Sequence, residues 1–208
     1  MAITLSLDYT SVLIFALSGA LAASRAQLDI VGFIFFASLT AVGGGTLRDL
    51  LLARDPVFWI ADATPLAIAM AAAVLVFLTA HLLESRLKWL IWLDAGAVAI
   101  AVAAGVAVAR EAGVSTGVVL VMGVATGTFG GLMRDVVANE VPLVLKQGEL
   151  YVTAAFAGAG ASLLGAHYIT SQTPWPTVIC VAVTFGLRAG SLLFGWRLPV
   201  YKTRPPRA

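Results

Sequence analysis

Charge is what this chain of 208 residues has least of. Only 12% of its residues are Asp, Glu, Lys or Arg, and 60% are hydrophobic. Soluble domains carry about 25% charged residues, so this composition, with a mean hydropathy of +0.96, excludes a soluble globular fold. A single cysteine excludes an intrachain disulfide framework, and Cys180, set in a late apolar run, reads as buried packing. The two histidines, His81 and His167, have no Cys or carboxylate cluster at ligand spacing, so no structural metal is expected. No nucleophile and base pair is visible either, which argues against an enzyme, and no cofactor is expected. The formal charge of +2 gives no reason to invoke a nucleic-acid partner. Polar connections reach at most about a dozen residues, leaving no room for a soluble domain.

What the chain does have is apolar runs. Crossing about 30 Å of hydrocarbon takes near 20 residues, and suitable runs fall at 9–24, 29–52, 64–83, 90–109, 115–138, 150–169 and 176–195. The expected fold class is therefore an all-α integral membrane protein with seven transmembrane helices. The first eight residues carry no positive charge, so the first span is expected to stay as a signal anchor. Loops rich in Lys and Arg remain cytoplasmic. One side holds Arg25, Arg86, Lys88, Lys146, Arg197, Lys202, Arg204 and Arg207, while the other holds only Arg54 and Arg110. That imbalance predicts an N-terminus outside and a C-terminus in the cytoplasm of a cell (inner) membrane. Trp59, Trp89, Trp92, Trp175 and Trp196 fall at span ends, as an interfacial aromatic belt requires, and the two histidines read as interface anchors.

The segment GGGTLRDLLLARDP, Gly43 to Pro56, returns ungapped 86 positions later as FGGLMRDVVANEVP, Phe129 to Pro142. The same offset carries Asp8 onto Asp94, Gly19 onto Gly105, Thr40 onto Thr126 and His81 onto His167. Two copies of one unit result, 1–86 and 87–172, followed by 173–208 as a last span and basic tail. Three spans per copy is an odd number, so the second copy enters the membrane from the opposite side. Inverted repeats of this kind are typical of proteins that move solutes through a site near the midplane.

Six glycines, Gly43, Gly44, Gly45, Gly127, Gly130 and Gly131, sit inside the second and fifth spans. Each costs a helix interior about 1 kcal/mol relative to Ala. Either they let helices approach closely, or they allow kinked or unwound backbone to face a polar cavity. Beyond them come Arg48, Asp49, Arg134 and Asp135, still within apolar runs, where a charge costs at least about 2.5–3.5 kcal/mol. Adjacent helix positions point about 100° apart, so Arg48 is not expected to face Asp49. The expected pairs are Arg48 with Asp8 and Arg134 with Asp94; the alternative is Arg48 with Asp135 and Arg134 with Asp49. Thr40 and Thr126 stand one turn before the glycines, either bonding back to their own helix or offering oxygens to an alkali cation. Arg188, in the last span, could reach the headgroups, and its role is open.

These seven spans, two three-span repeats and paired segments GGGTLRD and FGGLMRD resemble the trimeric intracellular cation channels, specifically their prokaryotic branch. The resemblance covers essentially the whole chain. It implies a homotrimer in the lipid bilayer, each protomer holding its own pore for K⁺ and other monovalent cations, with no bound metal beyond ions in transit. It implies that Gly43, Gly44, Gly45, Gly130 and Gly131 kink the pore-lining second and fifth spans, with Arg48, Asp49, Arg134 and Asp135 beside the pore. Phe129 replaces the first glycine of the second triplet. A secondary transporter of a small solute such as an amino acid is the competing reading.

Overall fold

The computed structural model describes residues 2–83, 85–168 and 174–199, and the basic residues Lys202, Arg204 and Arg207 lie outside them. Its helices are α1 (Ala2–Arg25), α2 (Ile30–Leu51), a one-turn α3 (Phe58–Ala61), α4 (Thr64–Thr79), α5 (Arg86–Glu111), α6 (Thr116–Val137), α7 (Val152–Tyr168) and α8 (Trp175–Phe194). Six are long and apolar enough to cross a membrane, the one on α4 running on through a 3₁₀ turn to Leu82. α7, with 17 residues, is shorter. Among the described residues the only strand-like pairing is one bridge between Glu149 and Arg197.

Local chemistry sets the helix ends. The Asp29 carboxylate accepts from the Gly32 N–H at 2.9 Å and the Ser85 hydroxyl from the Lys88 N–H at 3.4 Å, each supplying a partner for an otherwise orphaned first-turn donor. α2 and α6 end alike. Ala53 N–H bonds to Leu50 O and Arg54 N–H to Asp49 O, and 86 residues on Asn139 bonds to Val136 and Glu140 to Asp135. This double bond pattern needs a left-handed residue after the helix, and Ala53 (φ 52°) and Asn139 (φ 54°) supply it.

α1 and α5 form the centre of the bundle. Both helices bury small side chains, among them Ala16, Ala20, Ala23, Ala97 and Ala101, and small residues let backbones approach closely. α2 packs on α1, α6 on α5, and α2 and α6 on each other. α4 covers α1 and α2, α7 covers α6, and α8 lies on α5 and α7. Outward faces remain apolar at Leu75, Leu78, Val121, Phe156 and Leu164. In a chain of this composition those faces meet lipid.

An alanine in the left-handed region costs roughly 1–2 kcal/mol that glycine does not. Ala53→Gly is therefore expected to stabilise the protein by about 1 kcal/mol, read as a higher midpoint of unfolding in detergent. Leu50→Gly, inside α2, is expected to lower it.

Candidate charge clusters and the α2–α6 contact

The glycine segments lie within uninterrupted α-helices and are not unwound in this structure. They remove side chains where helices touch. A methyl group on Gly44 would stand 2.1 Å from the Thr126 carbonyl oxygen, and one on Gly130 would stand 2.4 Å from that of Thr40. Gly43 faces the Gly130 Cα at 3.5 Å from the same construction, so α2 and α6 cross backbone to backbone. Gly127 faces Val102 of α5, at 2.5 Å. Gly45 is covered by the Phe58 ring and Gly131 by Asp94 and Tyr151.

Thr40 and Thr126 donate to carbonyl oxygens of their own helices, Phe36 O at 2.7 Å and Met122 O at 2.6 Å. Each hydroxyl is also capped by a glycine of the neighbouring helix, Gly19 or Gly105, where a methyl group would approach to 2.6 Å. The threonines thus tie α1 to α2 and α5 to α6.

Arg48 and Arg134 are fully buried, so neither reaches the interface. Arg48 Nη1 donates to Asp8 Oδ1 at 2.8 Å and Arg134 Nη1 to Asp94 Oδ1 at 3.0 Å. Among the described residues neither Arg48 with Asp135 nor Arg134 with Asp49 makes an ion pair. The expectation that each arginine turns away from the adjacent aspartate is corrected. Arg48 Nε donates to Asp49 Oδ1 and Arg134 Nε to Asp135 Oδ1, both at 2.8 Å. The 100° rule concerns Cβ directions, whereas a long arginine stem carries its guanidinium round the helix to a short neighbouring carboxylate.

The second oxygen of each aspartate reaches the loop beyond its helix. Asp49 Oδ2 accepts from the Phe58 N–H at 2.9 Å, and Asp135 Oδ2 from the Leu143 N–H at 2.8 Å. Those are the first residues of α3 and of the 3₁₀ turn Leu143–Leu145, two elements that the apolar pattern does not signal. A carboxylate at the start of a helical turn supplies an acceptor for its free donors. Each Arg-Asp pair is therefore the hub of its repeat, holding the first helix, the second helix and the returning loop.

The two hubs differ in exposure. Asp8 keeps 15% of its side chain exposed and Asp94 none. Asp8 lines a cavity of about 240 Å³ together with Arg54, Phe58, Asp62 and Glu111. Asp8 and Phe58 also border a second space of about 10 Å³ that extends to Gly44 and Thr126. At the other hub Arg134 also donates to Ser18 Oγ at 3.0 Å, and the Tyr151 hydroxyl is turned to Asp94. Arg188 does not reach toward headgroups: it is buried, its guanidinium 4.5 Å from the centre of the Tyr151 ring and 3.3 Å from Glu149 Oε2. Sequence reasoning gives Arg188 no role and does not find Tyr151 and Glu149, because none of them belongs to a duplicated motif. Cys180 is buried in the α7–α8 contact, and both histidines are exposed, outside either hub. Among the described residues no group of three or more His, Cys, Asp or Glu could hold a metal.

The crossing contact leaves no room for a side chain. Gly44→Ala and Gly130→Ala are each expected to lower stability by about 1–3 kcal/mol. Gly96→Ala, where an added methyl meets nothing within 4 Å, is expected to be neutral or to gain up to about 1 kcal/mol. Unfolding of the three variants in detergent checks the difference.

A family model described as glycine transporter matches the chain twice, at residues 5–81 and 91–167. The UPF0126 inner membrane protein YadS of Escherichia coli K12 is 35% identical over 198 residues, covering 94% of both chains. A UPF0126 membrane protein of Vibrio cholerae is 40% identical over 199 residues, 94% of this chain and 81% of that one. The solved structure of the TRIC trimeric intracellular cation channel orthologue from Rhodobacter sphaeroides superimposes with a TM-score of 0.90 at 37% identity, covering 94% of this chain and all of that one. A prokaryotic TRIC channel solved in 0.5 M KCl gives a TM-score of 0.86 at 25% identity, over 93% of this chain and 98% of that one. With its all-helical fold and its two glycine-bearing charge hubs, this chain belongs to the family of the TRIC cation channels and the UPF0126 membrane proteins.

Proposed function

We propose that the protein is a monovalent cation channel, K⁺ preferring, whose pathway runs through each protomer beside the crossing of α2 and α6. One observation carries the reading. A cavity at the Asp8 hub shares Asp8 and Phe58 with a smaller space that reaches Gly44 and Thr126, where the two helices cross. The wall of that cavity bears three carboxylates, Asp8, Asp62 and Glu111, against the one guanidinium of Arg54. Carboxylates at the mouth of a pathway favour cations over anions. Asp62 is exposed, and hydrogen bonds from Thr64 and Tyr9 hold its carboxyl below the usual range, so it stays ionised at neutral pH.

Buried arginines beside a cation pathway would raise a barrier if their charge were free. Here each guanidinium lies between two carboxylates, Arg48 between Asp8 and Asp49, Arg134 between Asp94 and Asp135. Both hubs are thereby compensated, and the Gly43–Gly45 and Gly130–Gly131 segments supply backbone without side chains along the pathway. Bends at these glycines would widen it.

The architecture that goes with this reading is seven spans, with residues 1–86 and 87–172 as inverted repeats and α8 added at the end. The 86-residue spacing of the two family matches supports the duplication, and the matching hubs support its structural equivalence. The excess of Lys and Arg on one side puts the Asp8 end outside and the C-terminus in the cytoplasm. Assembly as a homotrimer is inferred from the likeness to the trimeric Rhodobacter sphaeroides relative.

Purified protein in liposomes is expected to pass K⁺ down its electrochemical gradient, without saturation at low millimolar concentration and without a second solute. Saturable glycine uptake coupled to an ion, with no such K⁺ flux, would instead support the glycine-transporter description of the matching family model.

A further inference from the structure

The repeat duplicates the hubs but not what surrounds them. Asp8 opens to a cavity, whereas Asp94, its mate, is sealed. Tyr151 is among the side chains that cover Asp94. It is 2% exposed, its hydroxyl lies over Gly131 and is turned to Asp94, and its ring lies beneath the Arg188 guanidinium. The residue 86 positions before Tyr151 is Pro65, which has no hydroxyl and lines the Asp8 cavity. Arg188 belongs to α8, beyond both repeats, and has no mate. Two residues that the duplication does not supply, Tyr151 and Arg188, thus lie at the closed hub.

We propose that Tyr151 is the gate at the Asp94 end of the pathway and that Arg188 is its latch. The proposal rests on the channel reading. With Tyr151 in place a cation arriving from the Asp8 side meets a hydroxyl wedged between Gly131 and Asp94. With Tyr151 withdrawn, Asp94 faces an open mouth as Asp8 already does. Tyr151 immediately precedes α7, so it can turn without disturbing a helix interior.

The latch is built to release. Arg188 is fully buried, yet its Nε and Nη2 have no hydrogen-bond partner and Nη1 has only Glu149, at 3.3 Å. Guanidinium donors left unmade in a buried position favour any arrangement that satisfies them. Glu149 is in turn held by the segment after α8. Glu149 and Arg197 form the antiparallel bridge, and the Leu198 N–H donates to Gly148 O at 2.8 Å. Ser191 of α8 accepts from the Leu150 N–H at 3.2 Å. The chain after α8 therefore bears on the gate through Gly148 and Glu149, with α8 itself holding Leu150, and undocking that chain frees Tyr151.

Two readouts on the full-length protein test this. In planar bilayers Tyr151→Phe, which removes the hydroxyl facing Asp94 and keeps the ring, and Glu149→Gln, which removes the charge paired with Arg188, are each expected to raise open probability roughly tenfold. Single-channel conductance is expected to stay unchanged, which a merely structural role would not produce. In a Cys180→Ala background, Ser18→Cys beside Arg134 is expected to react with a cationic thiol reagent at least about tenfold faster when Tyr151→Ala is added. A parent that conducts, with variants of equal open probability and equal labelling rate, overturns the gate. A parent that never conducts, but whose Ser18→Cys labelling still follows Tyr151, overturns the channel reading and keeps Tyr151 as the closure of a pathway for another solute.

Discussion

Everything in this fold depends on finding partners for the buried guanidinium groups of Arg48 and Arg134. An arginine in hydrocarbon is tolerated only when it is paired, and breaking a buried pair leaves an uncompensated charge worth roughly 3–5 kcal/mol. Arg48 and Arg134 meet that demand alike, each taking one carboxylate from the first helix of its repeat and one from its own neighbour. The second carboxylate then starts the next helical turn through Phe58 or Leu143. Removing either arginine would release a helix pair and a loop together. The charges are therefore part of the architecture before they can act on an ion.

The glycines follow from the same constraint. For Asp8 and Arg48 to meet, α1 and α2 must lie close, and Gly19 against Thr40 permits that approach. The two arginine-bearing helices, α2 and α6, then cross where Gly44 and Gly130 each abut a threonine carbonyl. Close packing and a polar route are compatible here, because the small space beyond Asp8 ends at the Gly44 and Thr126 contact.

Much of this was legible in the sequence because it was duplicated. A shared offset of 86 turned Asp8, Arg48, Asp94 and Arg134 into two candidate pairs, and those pairs are present in the structure. Periodicity could not decide whether the glycines bend or pack, since both uses need the same residue at the same place. The neighbouring Arg-Asp bonds were missed because helical angles describe where side chains begin, whereas a long arginine is placed by what it can reach. The turns at Phe58 and Leu143 were missed because a carboxylate eight or nine residues earlier starts them. Tyr151, Glu149 and Arg188 left no repeat signal at all. The asymmetry between the two ends lies in those residues, and only the folded chain places them together.

The central claim is the proposal that cations pass through each protomer beside the crossing of α2 and α6. Anomalous diffraction from crystals soaked in Tl⁺, a heavy substitute for K⁺, tests it most directly. The account predicts Tl⁺ density in the space bounded by Asp8, Phe58, Gly44 and Thr126, displaced by excess K⁺. Density confined to an axis between protomers, or none near those residues while K⁺ flux persists, would contradict it.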